Sequence, residues 1–169
     1  MAQIVDQFAK QCSSILKAEP GPAGRQKACD LLKQMLTNKA FVDATIAEAK
    51  SDHHLLYEDP ELKFCIFAET RTGQATGAPH DHGPSWAIYG QAVGETVMSE
   101  WELLEPAAGD NPGKVRRQKR YTMTPGSAYV YNEGVLHSPS RTDSTRLIRF
   151  EGVNLLTIKR QRPKYEIVE

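Results

Sequence analysis

Apolar positions Ile4, Val5, Phe8, Ala9, Cys12, Ile15 and Leu16 recur at helical spacing. That pattern predicts an amphipathic helix over 3–18. Glu19-Pro20-Gly21-Pro22 breaks it and turns the chain. Ala28, Leu31, Leu32, Met35 and Leu36 predict a second helix over 24–37, and Phe41, Val42, Ala44, Thr45, Ala47 and Ala49 a shorter third over 39–49. These make a helical segment within 1–50, expected to pack on the flank of the strand-rich remainder of the chain. Ser51-Asp52-His53-His54 comes next; adjacent strand residues face opposite sides, so a surface or helix-end place is expected for this histidine pair.

From Lys63 the period changes. Residues 63–68 read as a buried strand and 70–77 as a loop. Further strands are expected over 85–91, 95–104, 115–123, 128–131, 145–151 and 155–160. Gly90, Gly94, Asp110-Asn111-Pro112-Gly113, Pro125-Gly126 and Asn132-Glu133-Gly134 punctuate them. Short strands divided by turns fit a mainly β fold, a double-sheet jelly-roll barrel over 63–160 with α-helices before it. No helix interrupts the strands, which argues against an α/β fold. The 169 residues suit one domain over 1–169.

Composition narrows the functional classes. With 21 basic and 21 acidic residues the formal charge is zero, so no global field draws the chain to nucleic acid or to a membrane. The basic run 114–120 reads as a solvated strand face, with Glu100, Glu102 and Glu105 on the preceding strand as cross-strand partners. Three scattered cysteines (Cys12, Cys29, Cys65) argue against a disulfide framework or a zinc ribbon, and Cys65 reads as a small core residue. No basic, then apolar, leader opens the chain, and no apolar stretch reaches the roughly 18–20 residues of a membrane span. A cytoplasmic location is expected.

The candidate chemistry centres on Gly77-Ala78-Pro79-His80-Asp81-His82. Histidines two apart on extended chain share a face and can reach one metal ion. A later stretch, Gly126 to His137, can supply a third imidazole. Three neutral ligands leave a divalent ion its whole double charge, which an anionic chelating substrate can offset.

These stretches resemble the two motifs of the cupin superfamily. His80 and His82 match the histidine pair of the first motif and Gly94 its closing glycine; Gly126, Gly134 and His137 match the second. Ala87 stands where the first motif has glutamate, Asn132 replaces the second motif's proline, Arg141 its final asparagine, and Gln74 the opening glycine. Three histidines without the glutamate look like the thiol dioxygenases, that is, cysteine dioxygenase and its relatives. The resemblance implies a double-stranded β-helix, a mononuclear Fe(II) on His80, His82 and His137, and a small thiol and O2 as substrates. Zinc or nickel suits the same ligands. A non-catalytic sensor and a non-oxidative isomerase or hydrolase are the alternatives, and a homodimer through barrel edges is compatible with the fold.

Two features of that family are missing at the matching places. Arg146-Leu147-Ile148-Arg149-Phe150 stands where a Ser-x-His-x-Tyr pattern is expected, and 55–64 lacks the arginine that binds the substrate carboxylate. Arg71 and Arg149 are the candidate substitutes. Alternation turns Tyr89 and Gln91 inward with Ala87, and puts Tyr129 and Tyr131 on one face near His137. Tyr131 is the candidate catalytic phenol; Tyr89 and Trp86 are candidate walls of the substrate pocket. Asp81 should point away from the ligand face.

Overall fold

A computed structural model describes residues 3–49, 51–158 and 163–168. Three helices come first: α1 (Gln3–Ala18), α2 (Pro22–Leu36) and α3 (Lys39–Glu48). The second starts two residues earlier than its apolar pattern, because Pro22 takes the first helical turn, where its missing N–H costs nothing. The third is capped by the Asn38 side chain, which accepts from the N–H groups of Ala40 and Phe41.

Ten strands come after them among the described residues: β1 (His53–Glu58), β2 (Cys65–Arg71), β3 (Ala75–Thr76), β4 (Ala87–Val93), β5 (Thr96–Glu105), β6 (Gly113–Met123), β7 (Ala128–Tyr131), β8 (His137–Arg141), β9 (Thr145–Glu151) and β10 (Tyr165–Ile167). They form two five-stranded sheets, β1-β2-β9-β4-β7 and β10-β6-β5-β8-β3. From β2 to β10 the chain changes sheet at every connection except the β5–β6 hairpin. That alternation makes a cupin-like jelly-roll barrel with N-terminal helices, the fold expected from the sequence. Every pairing is antiparallel except β10 with β6.

The first sheet is covered on both faces. Its outer residues Ile66, Ile88, Ile148 and Phe150, with Phe64 just before β2, join Phe8, Cys12, Leu32 and Phe41 of the helices in one core. Its inner residues Ala87, Tyr89, Tyr131 and Leu147 meet Met98 and Met123 of the second sheet. Two covered faces explain why 64–68 is apolar without alternation. The second sheet turns its outer face to solvent, and there Lys114 and Arg116 pair with Glu105 and Glu102; Lys119 pairs with Glu100, which turns inward to Tyr121, so all three expected cross-strand pairs form.

Several expectations need correction. β1, β8 and β10 are strands the sequence pattern did not announce, and β3 lies inside the expected loop 70–77. β1 and β10 carry the sheets beyond 63–160. Residues 155–158 form a turn rather than a strand, and 159–160 lie outside the described residues. Lys63 is not in a strand: its φ of 62° puts it in the turn before β2. Cys12, Cys29 and Cys65 are buried free thiols. No helix among the described residues is long and apolar enough to cross a membrane.

Candidate metal centre

A short stretch of ladder brings the three histidines together. The Gly77 N–H donates to the Pro139 carbonyl at 2.7 Å, and His80 and His137 exchange backbone hydrogen bonds at 3.0 and 2.9 Å. Segment 77–80 thus extends the β3–β8 pairing until His80 faces His137, and His82 is two residues further on. The potential ligand atoms of His80, His82 and His137 all lie within 4.8 Å of one another, as the spacing predicts.

The donor set fits a metal ion. His80 Nδ1 lies 2.9 Å from the Ala78 carbonyl and His137 Nδ1 2.9 Å from that of Val135. A carbonyl only accepts, so each Nδ1 carries the proton and each Nε2 keeps a lone pair. His82 Nε2 and His137 Nε2 are 3.2 Å apart. Two imidazoles on one ion, with bonds of about 2.1 Å, bring their nitrogens to roughly that spacing. Burial, with the charge of His80 second, pushes His137 down to about 3, so its imidazole is neutral at ordinary pH and ready to ligate.

Behind the triad lies a buried charge cluster. Arg149 places Nη1 3.0 Å from Glu69 and Nη2 2.5 Å from Glu151. The same Nη2 is 3.4 Å from His82 Nδ1, and the guanidinium lies over the Tyr89 ring at 5.1 Å. Glu69 also takes Arg71 at 2.9 Å and His53 at 2.6 Å. Burial alone pushes the Glu69 carboxyl up, but the His53 hydrogen bond and the charges of Arg149 and Arg71 outweigh it and bring it down to about 2. Both arginines expected near the pocket are therefore there, but each is already paired with a carboxylate.

Tyr89 is the phenol that meets the triad: its hydroxyl is 3.1 Å from His82 Nε2. Burial pushes it up to about 12, so it keeps its proton. Tyr131, the expected catalytic phenol, stacks on His137 with ring centres 4.2 Å apart, but its hydroxyl is bonded to Tyr121 at 2.8 Å, and Tyr121 donates on to Glu100. Its ring supports the ligand while its oxygen is taken up elsewhere. Tyr129 is partly exposed and pairs with the Tyr121 ring.

Trp86 is not a pocket wall. It packs in the core between helices and first sheet, under the Arg25 guanidinium and against Gly152, because adjacent strand residues alternate and Ala87 has the inner face. Asp81 accepts from the Gly83 N–H and sits beside the outer cleft, outside the triad. His53 is neither at the surface nor at a helix end: it lies in β1, stacked on Phe67, with only 18% of its side chain exposed. Glu69, Glu151 and His53 were missed as site residues. The available signal was two glutamates next to buried apolar residues, Ala68 before Glu69 and Phe150 before Glu151, since a carboxylate there needs a buried partner.

Two cavities adjoin the triad. An outer cleft of about 470 Å³ is bordered by His80, His82, Arg71, Arg149 and Tyr165. An inner chamber of about 280 Å³ lies within the barrel and shares Arg71, His80 and Arg149 with it.

No protein-family model matches the chain, and no curated protein matches it. Among solved structures, protein NMB1881 from Neisseria meningitidis is similar at 16% identity and a TM-score of 0.45, over 65% of this chain and 94% of that one. A cupin superfamily protein from Desulfitobacterium hafniense is similar at 10% identity and a TM-score of 0.45, over 66% of this chain and 87% of that one. A cupin-2 domain containing protein from Shewanella frigidimarina is similar at 12% identity and a TM-score of 0.44, over 69% and 95%. Likenesses this low say nothing of chemistry, and the fold rests on the strand order of the two sheets. The chain is a cupin-like barrel with a three-histidine site able to hold a metal ion.

Proposed function

We propose that this protein is a mononuclear iron(II) dioxygenase, similar in chemistry to cysteine dioxygenase, which oxidises a small thiol to the sulfinic acid. The observation that carries the reading is the composition of the ligand set: three imidazoles and no carboxylate. The nearby carboxylates of Glu69 and Glu151 are held by Arg149 instead. A divalent ion there keeps its double charge in a buried place, and a thiolate is a ligand that offsets it. Imidazole ligation accepts iron.

Iron(II), when bound, supplies the one place where thiolate and dioxygen meet. The overall change is balanced: the thiol gains both atoms of O2, and sulfur gives up four electrons to them. The chain's own groups bind and orient. The Tyr89 hydroxyl, protonated and beside His82, is placed to donate a hydrogen bond to an anionic group at the site. The buried surroundings of His82 and His137 limit access of water.

The test is oxygen uptake by protein loaded anaerobically with iron, with a panel of small thiols and a His80→Ala control. Uptake that requires a thiol and vanishes in the control establishes the activity. No uptake above the control, with iron demonstrably bound, moves the assignment to a non-oxidative enzyme or a sensor.

A further inference from the structure

The inner chamber is lined from His80 and Arg149, beside the triad, to Thr96 and Thr145. Along β9, Thr145, Leu147 and Arg149 alternate on the inner face, so Thr145 lies four residues, about 13 Å, from Arg149. Along β5, Thr96, Met98 and Glu100 do the same, and Glu100 stands opposite His137 in register. Two strands from different sheets thus place Thr96 and Thr145 at the same far end. Met98 and Leu147 line the wall between.

The polar groups at that end are unmatched. Thr96 is 4% exposed and Thr145 2%. Neither hydroxyl has a hydrogen-bond partner among the described residues, and Arg149 Nε, nearer the triad, has none either. Buried hydroxyls left this way are rare, because desolvation without a bond is costly. All three groups can donate, so an oxygen acceptor would complete them. Arg141 supplies positive charge beside this end, while the charge of Arg71 is taken up by Glu69. Arg71 pairs in register with Thr145, and Arg141 is anchored on the Gly73 and Thr72 carbonyls; both line the chamber.

We propose that this chamber is the subsite for an extended substrate tail. The tail runs from the triad past Met98 and Leu147 and ends in a carboxylate held by the hydroxyls of Thr96 and Thr145. Only the sulfur at the head of this ligand rests on the thiol-oxidation reading; the tail subsite rests on the chamber itself.

The first arm of the test is calorimetric binding of straight-chain alkanoates, acetate to hexanoate, to the purified protein, with Thr96→Val and Thr145→Val variants. Valine keeps the shape and removes an unpartnered hydroxyl, so the variants should fold at least as stably. Affinity is expected to rise at least tenfold from acetate to hexanoate, and each variant should lose about five- to tenfold for hexanoate. Affinity independent of chain length overturns the proposal. So does hexanoate binding that the variants leave unchanged, which would place the carboxylate at the triad end, and so does a chamber that takes up ordered water only. The second arm is oxygen uptake with the matching mercapto acids on iron-loaded protein, where faster turnover of mercaptohexanoate than mercaptoacetate is expected. Chain-length-dependent alkanoate binding with no thiol consumed keeps the subsite and retires the oxygenase. Mercapto alcohols bound as tightly as mercapto acids would overturn the carboxylate terminus.

Discussion

Glu69 and Arg149 meet diagonally across the β2–β9 ladder at 3.0 Å, both inside the barrel. Burial opposes the Glu69 charge, and His53, Arg149 and Arg71 together bring its carboxyl down to about 2 from an ordinary 4.5. A lowered carboxyl stabilises the fold fully above the unfolded value, and that contribution drains as the pH falls from 4.5 toward 2. The amount is on the order of 3 kcal/mol. Glu69→Gln should lose about that much near neutrality and show a flatter stability profile across the acid window. Urea midpoints for both proteins at several acid pH values measure this. Parallel profiles would remove Glu69 from the account.

Tyr89→Phe separates binding from chemistry. The phenol contacts His82 and the Arg149 guanidinium lies over its ring, while the ring itself packs with Tyr131. Phenylalanine keeps the ring packing and removes only the donor. On the thiol-oxidation reading the turnover rate should fall by about 100-fold with metal affinity within a few-fold of the parent. A metal titration beside the oxygen-uptake assay gives both numbers. Unchanged turnover would leave Tyr89 as a core residue.

The triad was legible in the sequence because two strand-spaced histidines and a third just after a glycine-marked turn need little context. The helices were legible for the same reason, their apolar stripes being regular over many residues. β1 and β8 were not. Each carries polar groups, His53 and His54 in one and Ser138 and Ser140 in the other, and their strand character comes from ladder partners, the next strand β2 for β1 and the distant β5 for β8. Tyr131 was misjudged because alternation fixes the face of a ring but not the direction of its hydroxyl, which Tyr121 decides. Trp86 was misplaced as a pocket wall because neighbours in extended chain alternate, and with Ala87 inward Trp86 faces the helices. Arg149 looked like an available anion binder because Glu69, eighty residues earlier, comes to it only through the β2–β9 pairing.

His137→Ala should sharply reduce metal affinity. The side chain is wholly buried, its Nδ1 is fixed on Val135, and its ring is stacked on Tyr131. Loss of a supporting partner alone typically costs ten- to a hundredfold in metal affinity, and a ligand itself should exceed that. Competition with a chromophoric chelator measures it, with circular dichroism to show that the barrel remains. Stoichiometric metal held against the chelator would defeat the three-histidine assignment.

Two motif glycines should differ in what replacement costs. Gly94 and Gly134 both have left-handed backbone, with φ of 73° and 75°. A Cβ on Gly94 would lie 2.7 Å from the Ser144 carbonyl oxygen and 3.2 Å from Thr145 Cγ2, whereas one on Gly134 meets nothing within 4 Å. Alanine at 134 should therefore cost about 1–2 kcal/mol, for the left-handed conformation alone. At 94 the β4–β5 turn must also shift away from the β9 end, adding about 1–3 kcal/mol. Urea unfolding of Gly94→Ala and Gly134→Ala compares them directly. Equal losses would mean that backbone conformation alone requires glycine in the first motif, and that the close approach to Ser144 has no energetic weight.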